Sequence, residues 1–148
     1  MKRLVLLVVA GLVLAGCGGS SRLSKAAYEQ KLQADGNAVQ SAVTALTKTA
    51  TTSVAQFATK VDAAEAAVKK AADDLDSIKP PSDAEADNAA IVAALRRIQT
   101  GLEQVKKSPT TAAVIVGQIE SSPQLKAAVK ATADLKKKGY KVGVIGAP

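Results

Sequence analysis

The stretch VAQFATKVDAAEAAVKKAADDLDSI, residues 54–78, decides the fold. Its apolar and small side chains stand at Val54, Phe57, Val61, Ala64, Val68, Ala71, Leu75 and Ile78, at spacings that alternate three and four throughout. That is the a/d seam of a helix that buries one face against neighbours. Alanine at 64 and 71 lets a partner helix approach closely, near the ~8 Å lower limit of helix packing. Close approach leaves little interior volume, which argues against a large ligand cavity. Pro80-Pro81 ends the helix, because proline lacks the N–H that the helix needs and restricts the residue before it.

Downstream, Ser82-Asp83-Ala84-Glu85 has the spacing of a capping box, and Asp83, Glu85 and Asp87 suit the positive end of a helix dipole. A third helix follows with a seam at Asn88, Ile91, Leu95, Ile98, Leu102 and Val105, and Lys106 and Lys107 suit its C-terminal end. Ser108-Pro109 and Ser122-Pro123 each read as a cap followed by proline at the first helical position. The last part is therefore expected as two pieces, about 109–120 and 123–138, the second with Leu125, Ala128, Thr132 and Leu135 on one face. Gly139 is the expected C-cap, and the chain from Tyr140 on reads as an extended tail.

Upstream, Ser24 caps a first helix that runs to about Lys48, with its stripe at Tyr28, Leu32, Val39, Val43 and Leu46. Ser and Thr between residues 47 and 53 favour a turn near 49–53. One long helix over 25–78 is the alternative, since no Gly or Pro interrupts that turn. Short connections make successive helices antiparallel. The expected fold is all-α: a small antiparallel up-down bundle of three to four long helices, the last broken by Pro123. The expected division is a signal segment 1–16, a lipidated cysteine with flexible tether 17–24, a helical domain 25–140 and an extended tail 141–148.

The N-terminus supplies the address. Met1-Lys2-Arg3 is a positive start, and Leu4 to Ala15 is an uncharged apolar run. As a helix that run spans roughly 18 Å, short of a bilayer core of about 30 Å; it reads as a secretory signal helix. Leu14-Ala15-Gly16-Cys17 resembles the bacterial lipobox. The resemblance implies cleavage before Cys17 and a thioether-linked diacylglyceryl lipid on Cys17, which becomes the first mature residue. The chain's only cysteine then has a use, where an exported protein would otherwise carry an odd thiol.

Composition excludes more chemistry than it suggests. Histidine and tryptophan are absent, and Tyr28, Phe57 and Tyr140 are the only aromatics. Ser/His and Cys/His catalysis are impossible without a base. No lysine sits in an apolar stripe to serve a Ser-Lys pair, and no aromatic cleft supports a glycosidase. Asp73, Asp74 and Asp76 are the densest carboxylates. Lys69 and Lys70 lie four residues before the first two, so i,i+4 ion pairs on a solvated face explain them better than a metal site. Gly139-Tyr140-Lys141-Val142-Gly143-Val144-Ile145-Gly146 lacks the spacing and the following helix of a nucleotide loop. No catalytic residue, metal site, cofactor or small-molecule ligand is expected.

Net charge is +7. The basic end gathers Lys126, Lys130, Lys136, Lys137, Lys138 and Lys141 against Asp134 alone. In the up-down order this end returns to the side where the chain emerges from its anchor. The acidic residues 83, 85 and 87 come to the same side, and sequence does not decide whether they neutralise the lysines.

Two further segments, Leu75-Asp76-Ser77-Ile78-Lys79-Pro80-Pro81 and Asp134-Leu135-Lys136-Lys137-Lys138-Gly139-Tyr140, resemble small helical lipoproteins of high-GC Gram-positive bacteria. That resemblance implies a helical fold and an envelope location, and no chemistry. The murein-attached lipoproteins are similar in size and anchoring but end in a linkable lysine, whereas this chain ends Gly146-Ala147-Pro148. The expected function is a non-catalytic envelope lipoprotein, structural or protein-binding. It would be held on the outer face of the cell membrane, or in the outer membrane of a Gram-negative source. The alternative is a surface-electrostatic module that contacts anionic lipid or wall polymers through Lys136, Lys137, Lys138 and Lys141. Expected partners are the membrane, through the anchor, and an unidentified envelope protein; nucleic acid is not expected.

Overall fold

The computed structural model describes residues 21–47 and 54–143. The signal segment with Leu14, Ala15, Gly16 and Cys17, the expected turn at 49–53 and residues 144–148 of the expected tail lie outside the described residues. Five α-helices follow one another: α1 (Lys25–Thr47), α2 (Val54–Asp76), α3 (Glu85–Lys107), α4 (Ala112–Glu120) and α5 (Pro123–Lys137). A 3-10 turn, Ser82–Ala84, leads into α3, and another, Pro109–Thr111, leads into α4. The protein is an all-helical bundle, with its last descending arm broken at Pro123.

The central element is α3, which packs against α2 on one side and against α4 and α5 on another, while α1 lies on α2. The Leu23 N–H donates to the Lys79 carbonyl (2.8 Å), so α1 starts where α2 ends and the two run antiparallel. They are two helices and not one. We call this end of the bundle proximal and the end carrying Pro109 distal.

The seams bury as their spacing requires. Val61, Ala64, Val68, Ala71 and Leu75 of α2 are buried, as are Ile91, Leu95 and Val105 of α3. The larger core cluster lies towards the proximal end, around Tyr28, Leu75, Ile91 and Leu135. A smaller distal cluster joins Val61, Val105 and Ile115, with Leu46 and Phe57 packed against it. Gly101 makes the distal contact close: a Cβ there would overlap Ile119 Cδ1. Across the α2–α3 rim, Arg96 pairs with Asp73 (2.6 Å) and Lys106 with Asp62 (2.5 Å). These exposed pairs contribute about 0–1 kcal/mol each and mainly fix register.

Several local expectations change. No capping box forms at Ser82: neither Pro81 nor Ala84, the residues that precede the 3-10 turn and α3, caps through its side chain. The side chains that would cap are engaged elsewhere, Glu85 with Arg22 and Asp83 with Tyr140. Ser108 does not cap either; its carbonyl accepts from the Thr111 N–H (3.0 Å) and hydroxyl (2.8 Å). Ser24 and Ser122 do cap, accepting from the N–H groups of Ala27 (3.2 Å) and Leu125 (3.3 Å). Helix α2 stops at Asp76, so Ile78 is half-buried from the turn and not from the helix. Val43 is 39% exposed; among the described elements α1 packs mainly against α2.

The C-terminal stop is a full Schellman motif. Gly139 takes φ +77°, its N–H donates to the Lys136 carbonyl (2.9 Å), and the Tyr140 N–H donates to the Leu135 carbonyl (2.9 Å). Tyr140 is therefore core and not tail, at 4% exposure. Lys141 and Val142 also leave the expected free tail: Lys141 is bonded to α1, and Val142 packs half-buried against the larger cluster.

Leu95, at 4% exposure in the middle of α3, tests the hairpin. Leu95→Ala should lower unfolding free energy by about 2–4 kcal/mol in a urea titration. A change below ~0.5 kcal/mol would place Leu95 outside the core.

Candidate functional site

The proximal end brings together three segments that are distant in sequence: the start of α1, the Pro80-Pro81 turn and the end of α5. The reason is packing of two of the chain's three aromatics. Tyr28, fully buried, meets Tyr140 edge to face, with centroids 5.9 Å apart and planes at 88°. The Tyr28 hydroxyl donates to Asn88 Oδ1 (3.0 Å), and Asn88 Nδ2 donates to the Leu75 carbonyl (3.0 Å). A polar residue at a seam position is thus satisfied across three helices.

A second layer ties the rim. The Tyr140 hydroxyl donates to Asp83 Oδ1 (2.6 Å). Lys138 Nζ donates to Asp87 Oδ2 (2.6 Å) and to the Asp83 carbonyl (2.5 Å). Lys25 Nζ lies 4.6 Å from the centre of the Tyr140 ring and donates to the Lys138 carbonyl (2.9 Å). Arg22 pairs with Glu85 and donates to the Pro80 carbonyl (3.1 Å). The chain beyond Tyr140 then climbs beside α1: the Lys141 N–H donates to Glu29 Oε1 (3.0 Å), and Gln33 Nε2 donates to the Lys141 carbonyl (2.9 Å).

The four lysines of the expected basic end are thereby separated. Lys138 is held by the acidic turn, and Lys137 pairs with Asp134 (3.2 Å). Lys141 sits up the side of α1, one to two turns from its start, and only Lys136 remains exposed in the last turn of α5 without an ion pair among the described residues. Asp73 and Asp74 make the expected i,i+4 pairs with Lys69 and Lys70, and Asp74 also takes Lys31 from α1 (2.5 Å). Hydrogen bonds from Lys31 and Lys70 hold the Asp74 carboxyl down at about 2. Among the described residues no group of three or more carboxylates is placed to hold a metal ion.

Burial pushes the Tyr140 phenol up to about 12 and Tyr28 higher still, with nearby carboxylates adding to both, so neither ionises near neutrality. Asp35 is the one buried carboxylate whose Oδ2 lacks a hydrogen bond among the described residues; Lys31 stands 3.4 Å away. Burial raises its pKa, with Lys31 and Lys70 acting against it and Asp74 with it. Two depressions on the described surface are open, one along Asn37, Ser41 and Thr44, another between the ends of α3 and α4. Val114, Val116 and Val129 are exposed on α4 and α5.

The sequence reading missed Asn88 as a polar bridge and Tyr28 with Tyr140 as a pair. Asparagine inside an apolar seam was the available signal. Comparison with protein-family models, with curated proteins and with solved structures finds no match.

A pH titration reads this end directly, since Tyr28 and Tyr140 are the only tyrosines. Both folded pKa values lie above the ordinary 10.0. The unfolded chain therefore loses these protons first, and stability falls as pH rises from about 10 towards 12. The near-ultraviolet tyrosinate band should stay absent until the far-ultraviolet helix signal begins to fall. Full ionisation near pH 10 with helix intact would contradict the burial. At the acid side, Asp73, Asp74 and Asp134 are lowered by their lysine and arginine partners, so their contribution is present above the usual 3.8 and lost below it. Asp35, raised, acts in the opposite sense.

Proposed function

We propose that the chain is an envelope lipoprotein, anchored through a diacylglyceryl lipid on Cys17, whose bundle acts as a non-catalytic structural or protein-binding module. The observation that carries the reading is Leu14-Ala15-Gly16-Cys17 placed directly after a basic start and a short apolar run. Two others support it. No helix among the described residues is long and apolar enough to cross a membrane, so attachment falls to the N-terminal segment. The polar groups gathered at the proximal end are engaged with one another, which leaves the outer surface as the part available to a partner.

The alternative reading through the basic C-terminal end has less support. Two of its four lysines are paired internally, and Lys141 is carried up the side. The test is recovery of the chain from native membranes. A mature N-terminus at Cys17 carrying acyl mass supports the anchor, and cross-linking before extraction identifies what the bundle touches. A mature N-terminus elsewhere without acyl mass rejects it.

A further inference from the structure

The structure fixes the chain to the bundle sooner than a tether through residue 24 would. Arg22 is bonded to the Pro80 carbonyl and Glu85, and the Leu23 N–H is bonded to the Lys79 carbonyl. Between Cys17 and Arg22 the chain reaches at most roughly 18 Å, at ~3.6 Å per residue. Helix α3, at 23 residues, is about 35 Å long. Arg22 and Leu23 sit on the proximal end, beside the Pro80-Pro81 turn and the end of α5.

We propose that this proximal face rests on the lipid headgroups, with Lys79 and Lys136 as its contacts to anionic lipid phosphate. The inference depends on the anchor at Cys17. Length of chain selects the occupant: the surface that carries the acyl chains is the one this face can reach, and the distal end is held away from it. Charge selects the two lysines. Both are exposed, Lys79 on the turn and Lys136 in the last turn of α5, and neither has an ion-pair partner among the described residues. Arg22, Lys137 and Lys138 are already paired. An ammonium group feels an anionic surface only within a Debye length of about 8–10 Å, so these two act only with the bundle upright. Their part is to orient a protein that the lipid already holds.

The test uses the full lipidated chain in vesicles, with Cys17 blocked by its lipid so that an introduced cysteine is the single thiol. Ser82→Cys reports the proximal face and Thr110→Cys the distal end, each carrying a fluorophore and read against a headgroup-attached quencher. Quenching should be several-fold stronger at Ser82 than at Thr110 in vesicles rich in anionic lipid. The difference should shrink in high salt, in zwitterionic vesicles and in the double variant Lys79→Gln/Lys136→Gln, but persist in Lys137→Gln/Lys138→Gln. Circular dichroism checks that each variant is folded. Equal quenching at both ends, or a difference indifferent to anionic lipid and to Lys79→Gln/Lys136→Gln, overturns the proposal while the anchor stands. A chain without acyl mass overturns both.

Discussion

Tyr28→Ala should destabilise the protein by about 3–5 kcal/mol, the range for removing a fully buried aromatic side chain. Tyr28 has no exposed surface, packs edge-on to Tyr140 and supplies the only donor on Asn88 Oδ1 among the described residues. Truncation therefore opens a cavity, removes an aromatic pair and leaves a buried carbonyl oxygen unpaired. Small domains have total stabilities of about 5–15 kcal/mol, so the loss is a large share. Tyr28→Phe separates the terms. It keeps the ring and deletes the hydroxyl, and should cost about 1–3 kcal/mol through the orphaned Asn88 oxygen. Urea unfolding followed by circular dichroism measures both. If Tyr28→Ala costs no more than Tyr28→Phe, the ring is not what joins α1 to α5.

The elements that sequence made legible are those whose signal is periodic or steric. The seam from Val61 to Leu75 and the Gly139 cap each follow from residue type at a fixed spacing and stand in the structure, whereas α2 stops at Asp76, before Pro80-Pro81 is reached. The failures share a different cause. The neighbours of Ser82 fit a local capping pattern, but Glu85 and Asp83 are claimed by Arg22 and Tyr140, which lie dozens of residues away. Tyr140 follows the glycine, where local rules expect the tail to begin. The Schellman turn instead folds it back over Leu135 into contact with Tyr28. Lysines 136–138 were counted as one basic patch, although adjacent residues on a helix point in different directions. Asp134 and Asp87 each take one and leave the third. Local rules name the groups available; which of them pair is decided by tertiary packing.

The proximal end also gives physical content to the two segments singled out by resemblance. Leu75 supplies the carbonyl that Asn88 bonds, and Pro80 the carbonyl that Arg22 bonds. Leu135 and Tyr140 form the Schellman contact, and Tyr140 reaches across to Asp83. The two segments are halves of one closure that fastens the beginning of the bundle to its end.

On the proposed lipidation of Cys17, Cys17→Ala should have the largest effect of all, on location and not on folding. Two acyl chains, at about 0.8 kcal/mol per buried methylene, supply on the order of 20 kcal/mol of membrane affinity. Without the thiol no thioether forms, and a peptidase that requires the lipidated cysteine leaves residues 1–16 attached. The expected product is a precursor of higher peptide mass with no acyl group. A chain beginning at Gly18 and exported by an unrelated signal should go further and appear wholly in the soluble fraction. Neither change should disturb the bundle, because Arg22 and Leu23 still fasten the start of α1 to the Pro80 turn; unfolding free energies should agree with the mature chain within about 0.5 kcal/mol, the usual spread for a site outside the packed structure. Mass spectrometry, membrane fractionation and a urea titration give the three readouts. If Cys17→Ala is cut at the same position and stays on the membrane as tightly as the wild type, the lipid anchor is wrong, whatever the bundle does.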